Sequence, residues 1–169
     1  MTSDLLVQKD QRVSADQAKP DHEIVADGGL TIEPSQFIGT WEFLRTVCHD
    51  ADTITFVDYS YRLQLQETQG TALDTTAVCM LTTSDFPIKK TATGYELDYG
   101  NAASFFCTPN PCTLEMKTKV GTDITTNSYS CPDDFPVESI PEVIVSVEGT
   151  TLTTQLVGLP CESLYQKSQ

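Results

Sequence analysis

Tyr59-Ser60-Tyr61-Arg62-Leu63-Gln64-Leu65-Gln66 alternates without a break. Tyr59, Tyr61, Leu63 and Leu65 fall on one side of an extended chain, and Ser60, Arg62, Gln64 and Gln66 fall on the other. Successive side chains on a strand point to opposite faces, so this period of two marks a strand with one face packed and one face wet. The same grain recurs at Tyr95-Glu96-Leu97-Asp98-Tyr99 and at Cys112-Thr113-Leu114-Glu115-Met116-Lys117. Val143, Val145 and Val147 alternate around Ile144 and Ser146, and Gly149 then separates them from Thr150-Thr151-Leu152-Thr153-Thr154-Gln155-Leu156-Val157, which reads as a hairpin. Strands are expected over 39–48, 53–57, 58–68, 75–83, 88–99, 103–108, 112–120 and 124–130, with 142–148 and 151–157 as the final hairpin. No segment carries a long helical period. Cys131–Pro141 holds three prolines and reads as a loop. Many antiparallel strands joined by short turns mean a sandwich or a barrel.

The chain has 169 residues, with 10 Lys+Arg against 24 Asp+Glu and a net charge of −14. The length suits one domain with a tail. The charge excludes nucleic acid, whose phosphates are held by Lys and Arg, and an anionic membrane surface. No apolar run reaches the roughly 18–20 residues of a transmembrane helix. Residues 1–36 carry no aromatic or cysteine, are rich in Asp, Gln, Lys, Ala and Ser, and read as a flexible acidic tail or linker. The domain is expected over 37–169.

The cysteines are Cys48, Cys79, Cys107, Cys112, Cys131 and Cys161. None forms the close C-x2-C pair that aims two thiolates at one metal ion. An even, scattered set reads as disulfides, hence as an exported protein. Six cysteines allow about 15 pairings. Four residues separate Cys107 from Cys112, which suits a bridge closing a tight hairpin. Cys48 with Cys161 would join the two ends of the domain, leaving Cys79 with Cys131. Met1-Thr2-Ser3-Asp4-Leu5-Leu6 lacks the basic start and apolar core of an export signal, so the expectation is a mature chain whose signal has been removed.

Phe37-Ile38-Gly39-Thr40-Trp41-Glu42-Phe43 decides between sandwich and barrel. Its Gly-x-Trp, at the start of the β region, resembles the N-terminal signature of the calycin superfamily, which includes lipocalins, fatty-acid-binding proteins and avidins. The glycine allows a tight turn into the first strand, and the only Trp in the chain can plug the closed end of a small barrel. Over residues 37–167 the chain is similar to small lipocalin-like domains of bacterial exported lipoproteins. In those, a Gly-Thr-Trp strand is followed by a cysteine, here Cys48, and a closing hairpin by a cysteine and tyrosine, here Cys161 and Tyr165. The mid-chain Thr-Asp-Tyr of lipocalins is absent. The resemblance implies an up-and-down antiparallel β-barrel of about eight strands, disulfide-stapled, with a basic residue across the Trp. Lys167 is the positional match and Arg45 a local substitute. It also implies a bacterial periplasmic or outer-membrane-tethered lipoprotein, or a secreted protein.

Catalytic signatures are missing: no Gly-x-Ser-x-Gly elbow, no His-Glu-x-x-His, no phosphate-binding loop. His49 beside Cys48, Asp50 and Asp52 reads as a turn rather than a metal site, and Asp133-Asp134 as a turn cap. No catalytic residue, metal or cofactor is expected. The candidate site is the barrel interior, formed by Trp41, Phe43, Tyr59, Tyr61, Leu63, Leu65, Tyr95, Leu97, Tyr99, Leu114 and Met116. Those side chains either fill the core or line a pocket for a small apolar ligand. In Phe105-Phe106 one ring must face outward, as a spot for a cell-envelope protein partner. The expected function is a non-enzymatic exported binding protein. The alternative is an envelope interaction protein or protease-inhibitor-like calycin barrel, acting through its surface and its segment Ala26–Glu33.

Overall fold

The computed structural model describes residues 31–49, 53–134 and 140–169. These residues form twelve strands: β1 (Gly39–Cys48), β2 (Ile54–Val57), β3 (Ser60–Leu65), β4 (Gln69–Thr75), β5 (Met80–Lys90), β6 (Tyr95–Leu97), β7 (Ser104–Thr108), β8 (Cys112–Val120), β9 (Asp123–Cys131), β10 (Glu142–Glu148), β11 (Thr151–Leu156) and β12 (Cys161–Lys167). One turn of helix, α1 (Pro34–Phe37), precedes them. Eight strands close into a ring in the order β1-β3-β4-β5-β6-β10-β11-β12, each antiparallel to its neighbours, with β12 returning to β1. The expected all-β up-and-down barrel is therefore the observed fold. The other four strands lie outside the ring. β2 leaves β1 and pairs with β8, β8 pairs with β9, and β7 adds to the first half of β5.

The closed end of the barrel is built on Trp41. Its ring is fully buried, and its Nε1 donates to the Phe37 carbonyl at 2.7 Å, so α1 is tied beneath the first strand. Lys167, opposite Trp41 in the β1–β12 register, places its Nζ 5.3 Å from the ring centre. This is a cation–π contact between neighbouring strands. Gly39 has φ of +140°, and a Cβ there would sit 3.1 Å from Lys167 Cε. Ile32, Phe37, Leu63, Leu65, Phe86, Leu97, Ile144 and Leu152 complete a dry core around the Trp. Ile32 belongs to that core, so the packed unit begins before the expected boundary at 37. Residues 1–30, the rest of the expected tail, lie outside the described residues.

One expected strand is shortened, one divides, and two, β4 and β12, appear where none was expected. The 58–68 strand ends at Leu65, and β4 follows at once. The 88–99 strand is the end of β5, a turn at Thr91–Gly94, and β6. A second small core, of Cys79, Leu81, Cys107, Leu114 and Cys131, lies under β7, β8 and β9.

All six cysteines are bridged. Cys48–Cys161 joins β1 to β12 as expected, between residues that face each other in the register. The other two pairs differ from expectation: Cys79 bonds Cys112, and Cys107 bonds Cys131. Cys107 does not meet Cys112 because the residues between them are not a hairpin. β7 is hydrogen-bonded to β5 and β8 to β2 and β9, so the loop crosses from one part of the sheet to another. The Sγ atoms of Cys79, Cys112 and Cys131 lie within 4.8 Å of one another, as two bridges stacked in the second core. Three disulfides and no helix among the described residues long and apolar enough to cross a membrane are consistent with an exported protein.

Cys48–Cys161 spans 113 residues, the longest loop of the three. Replacing both by Ala is expected to lower unfolding free energy by about 3–5 kcal/mol, the range for a long constrained loop. Urea titration of the double variant against the native chain measures it. A loss below about 1 kcal/mol would mean that the β1–β12 ladder closes the ring without the bridge.

Candidate functional site

β1 carries a bulge between Phe43 and Arg45. Before it, β1 pairs with β3 as far as Glu42 opposite Arg62; beyond it, β1 stays with β12 and reaches β2 through Thr46. A bulge bends its strand and disrupts the local ladder. Here it separates β1 from the start of β3 and opens a slot of about 190 Å³ in the barrel wall. Phe43, Phe56, Tyr59 and Tyr61 line it, with Leu44 and Ser60 at the edge. Glu42 and Arg62 bridge its rim at 2.8 Å, an exposed ion pair of small energetic weight.

The aromatic lining is continuous. Phe43 lies 4.6 Å from Phe56 and 5.6 Å from Tyr165 by ring centres, and Phe56 lies 4.6 Å from Tyr59. Tyr61 completes the group, 6.2 Å from Tyr165. These tilted and edge-on pairings are the favoured ones for aromatic rings.

Behind the rings the interior is polar. Glu142, at the start of β10, is buried and accepts from Thr154 Oγ1 at 2.6 Å and from Tyr165 Oη at 2.8 Å. Both donors meet Oε2. Asp74 lies opposite Tyr61 in the β3–β4 register and accepts from Tyr59 Oη. Thr46 and Ser163 share a hydrogen bond of 2.8 Å between facing strands. Tyr99 enters from the short 3-10 turn after β6, its ring 4.7 Å from Phe86. Its buried hydroxyl faces Tyr61, Glu142 and Tyr165, with the Tyr61 hydroxyl as its neighbouring polar group.

Burial decides the protonation of this cluster. It pushes the Asp74 carboxyl up to about 6, against the opposing effect of the Tyr59 hydrogen bond. It raises Glu142 too, opposed by Thr154 and Tyr165. The hydroxyls of Tyr59, Tyr61, Tyr99 and Tyr165 are raised by burial first; a carboxylate comes next for Tyr59, Tyr99 and Tyr165, and Tyr99 comes next for Tyr61, so all four stay protonated. Desolvation disfavours the charged form of every one of these groups.

The eleven expected interior residues therefore divide. Phe43, Tyr59 and Tyr61 line the slot, and Tyr99 reaches the polar cluster behind it. Trp41, Leu63, Leu65, Tyr95 and Leu97 pack the closed end. Leu114 and Met116 sit on β8, outside the ring: Leu114 fills the second core, and Met116 faces Asn127 across the hairpin. Of the pair Phe105-Phe106, Phe106 is the ring turned outward, 47% exposed. Asp134 caps its turn as expected, accepting from Ser130 N and donating its own N–H to Ser130 O. Asp50 and Asp52 lie outside the described residues. The sequence reading missed Asp74, Glu142, Phe56 and Tyr165.

Asp74 and Glu142 hold their protons more tightly in the folded chain than in the unfolded one. The folded state then binds more protons between the ordinary carboxyl range and about 6, so stability falls as pH rises through that window. Asp74→Asn removes this penalty and leaves an acceptor for Tyr59. At about pH 8 the variant is expected to be more stable than the native chain by about 3 kcal/mol. At about pH 3.5, where both folded and unfolded Asp74 are mostly protonated, the difference should vanish. Urea unfolding at the two pH values tests this; an equal difference at both would refute it.

Compared with models of known families, with curated proteins and with solved structures, the chain matches none.

Proposed function

We propose that the protein is a non-enzymatic exported binding protein of lipocalin-like type, which holds a small ligand in its barrel. The observation that supports this reading is the slot at the β1 bulge, lined by Phe43, Phe56, Tyr59 and Tyr61 with Glu42, Ser60 and Arg62 at its rim. Ligand sites combine an apolar lining with a few placed polar groups, and that is the composition here. The volume of about 190 Å³ is below the roughly 300 Å³ at which drug-sized pockets begin. The ligand is accordingly small, and a long acyl chain does not fit it. The buried Trp41 with Lys167 across its ring supports a calycin-like closed end. The three bridges suit the periplasm, an outer-membrane tether or secretion alike.

The second reading is an interaction protein of the cell envelope. It rests on Phe106, exposed on β7 beside the crossover loop.

Native mass spectrometry of protein purified from its source is expected to show a co-purifying small molecule. Tyr61→Trp, which fills the slot, should lose that adduct and weaken ligand binding about tenfold or more, while circular dichroism checks that the variant keeps its fold. A bare protein mass across several preparations would favour the surface reading instead.

A further inference from the structure

Two of the three bridges touch. Cys79–Cys112 and Cys107–Cys131 share the second core, and the Sγ atoms of Cys79, Cys112 and Cys131 lie within 4.8 Å of one another. Cys131 is therefore the sulfur through which one bridge meets the other, while Cys107, its bonded partner, is not in that compact set. Cys112 and Cys131 also face each other in the β8–β9 register, so the ladder itself holds the two bridges side by side. Cys48–Cys161 stands apart from this core, on the β1–β12 ladder.

Exposure gives the core one entrance. Cys79, Cys107 and Cys131 are 2%, 6% and 0% exposed, whereas Cys112, at the start of β8, is half-buried. The crossover loop leading to it, residues 108–111, is exposed. A thiol from solution thus reaches Cys112 before any other sulfur of the core.

We propose that this core is a thiol–disulfide exchange site for small thiols, entered at Cys112 and relayed through Cys131. In the first step a thiolate attacks Cys112 Sγ. The new S–S bond forms, the Cys79–Cys112 bond breaks, and its electron pair leaves on Cys79 as a thiolate. In the second step Cys79 Sγ attacks the neighbouring Cys131 Sγ. The Cys79–Cys131 bond forms, the Cys107–Cys131 bond breaks, and the electron pair leaves on Cys107, which takes up the proton that the incoming thiol gave up. The core holds two S–S bonds before and after, one of them now to the added thiol, so no further oxidant or reductant is consumed.

Two features drive the second step. The Cys79 thiolate is cut off from water and held within 4.8 Å of its target, so its effective concentration exceeds that of a dissolved thiol. Cys107 lies on β7, which among the described residues is laddered to β5 alone, through five residue pairs. Freed from Cys131, it can turn toward solvent, where its charge is hydrated. The exchange moves a covalent tie from the start of β8 to the end of β9, because Cys79 is then joined to Cys131 instead of Cys112.

Non-reducing peptide mapping by mass spectrometry reads every cysteine at once. The native full chain is treated with millimolar glutathione at about pH 8, where a small thiol is partly ionised. Free thiols are then blocked with N-ethylmaleimide, and digestion with pepsin in acid prevents reshuffling. The early product is expected to carry glutathione on Cys112, a Cys79–Cys131 bridge and N-ethylmaleimide on Cys107. Labelled Cys107 should exceed labelled Cys79 by about tenfold or more. Glutathione on Cys112 with the label on Cys79 and Cys107–Cys131 intact would overturn the relay and leave the entrance standing. An unreacted core, or first attack at another of its sulfurs, would overturn both. In the double variant Cys107→Ser, Cys131→Ser, which removes the receiving bridge, the label should move to Cys79. Circular dichroism checks that this variant keeps its fold, and the native map decides alone if it does not.

Discussion

The pairing of β1 with β12 closes the sheet on itself, and a barrel so closed has an inside of limited volume that must be filled. β1 serves two neighbours at once along its first half, β12 on one side and β3 on the other. Trp41 projects from that doubly paired half and fills the closed end, with α1 tied below it and Lys167 laid across it. The ring cannot stay so tight along its whole length. After the bulge at Phe43–Arg45, β1 gives up β3 and turns toward β2. The slot is the geometric consequence of that exchange of partners. One strand thus provides both the plug of the barrel and its opening.

The filling follows the same division. Around Trp41 the interior is aliphatic and aromatic and carries no charge. Beyond Tyr61 it carries Asp74, Glu142 and several hydroxyls. Hydrogen bonds from Thr154, Tyr165 and Tyr59 offset part of the desolvation of the acids, but the raised pKa values mean that the offset is incomplete. A fold seeking stability alone would place apolar groups there, since replacing buried ionic groups by hydrophobic ones is often neutral or stabilising. The penalty falls beside Tyr59 and Tyr61, two of the rings that line the slot.

Alternation made most of the barrel legible, and its failures have physical causes. β1 is found over the expected residues because Trp41, Phe43 and Thr46 turn inward while charged neighbours turn out. β4 escaped because its inward residues are Gly70, Ala72 and Asp74, which give no apolar period. Gly70 is there because the Phe86 ring packs where a Cβ would stand, at 2.4 Å. Asp74 is there as part of the polar cluster. β12 escaped for a similar reason, its inward face being Cys161, Ser163 and Tyr165. Glu142 was hidden as a charged residue before a valine-rich run, where it reads as the polar end of a strand. The slot was half visible: Phe43, Tyr59 and Tyr61 belong to the apolar face, but nothing local says that β1 parts from β3 between them. Two of the three cysteine pairs differ from expectation because proximity in sequence is not proximity in the sheet: β7 and β8 bond to different neighbours.

The four strands outside the ring acquire a role from the same geometry. Phe56 closes one side of the slot, and it sits on β2, which touches β1 through a single residue pair but is laddered along its length to β8. β8 is held by β9, by the Cys79–Cys112 bridge to the start of β5, and through β9 by Cys107–Cys131 to β7. Tyr59 leans on the second core in which those bridges are buried, and from there its hydroxyl reaches Asp74. The two bridges therefore constrain the outer strands that carry and support one wall of the slot. A four-residue strand with one ladder contact to the barrel would otherwise position an aromatic ring poorly. Cysteine chemistry, which first indicated only a compartment, here anchors the lining of the site.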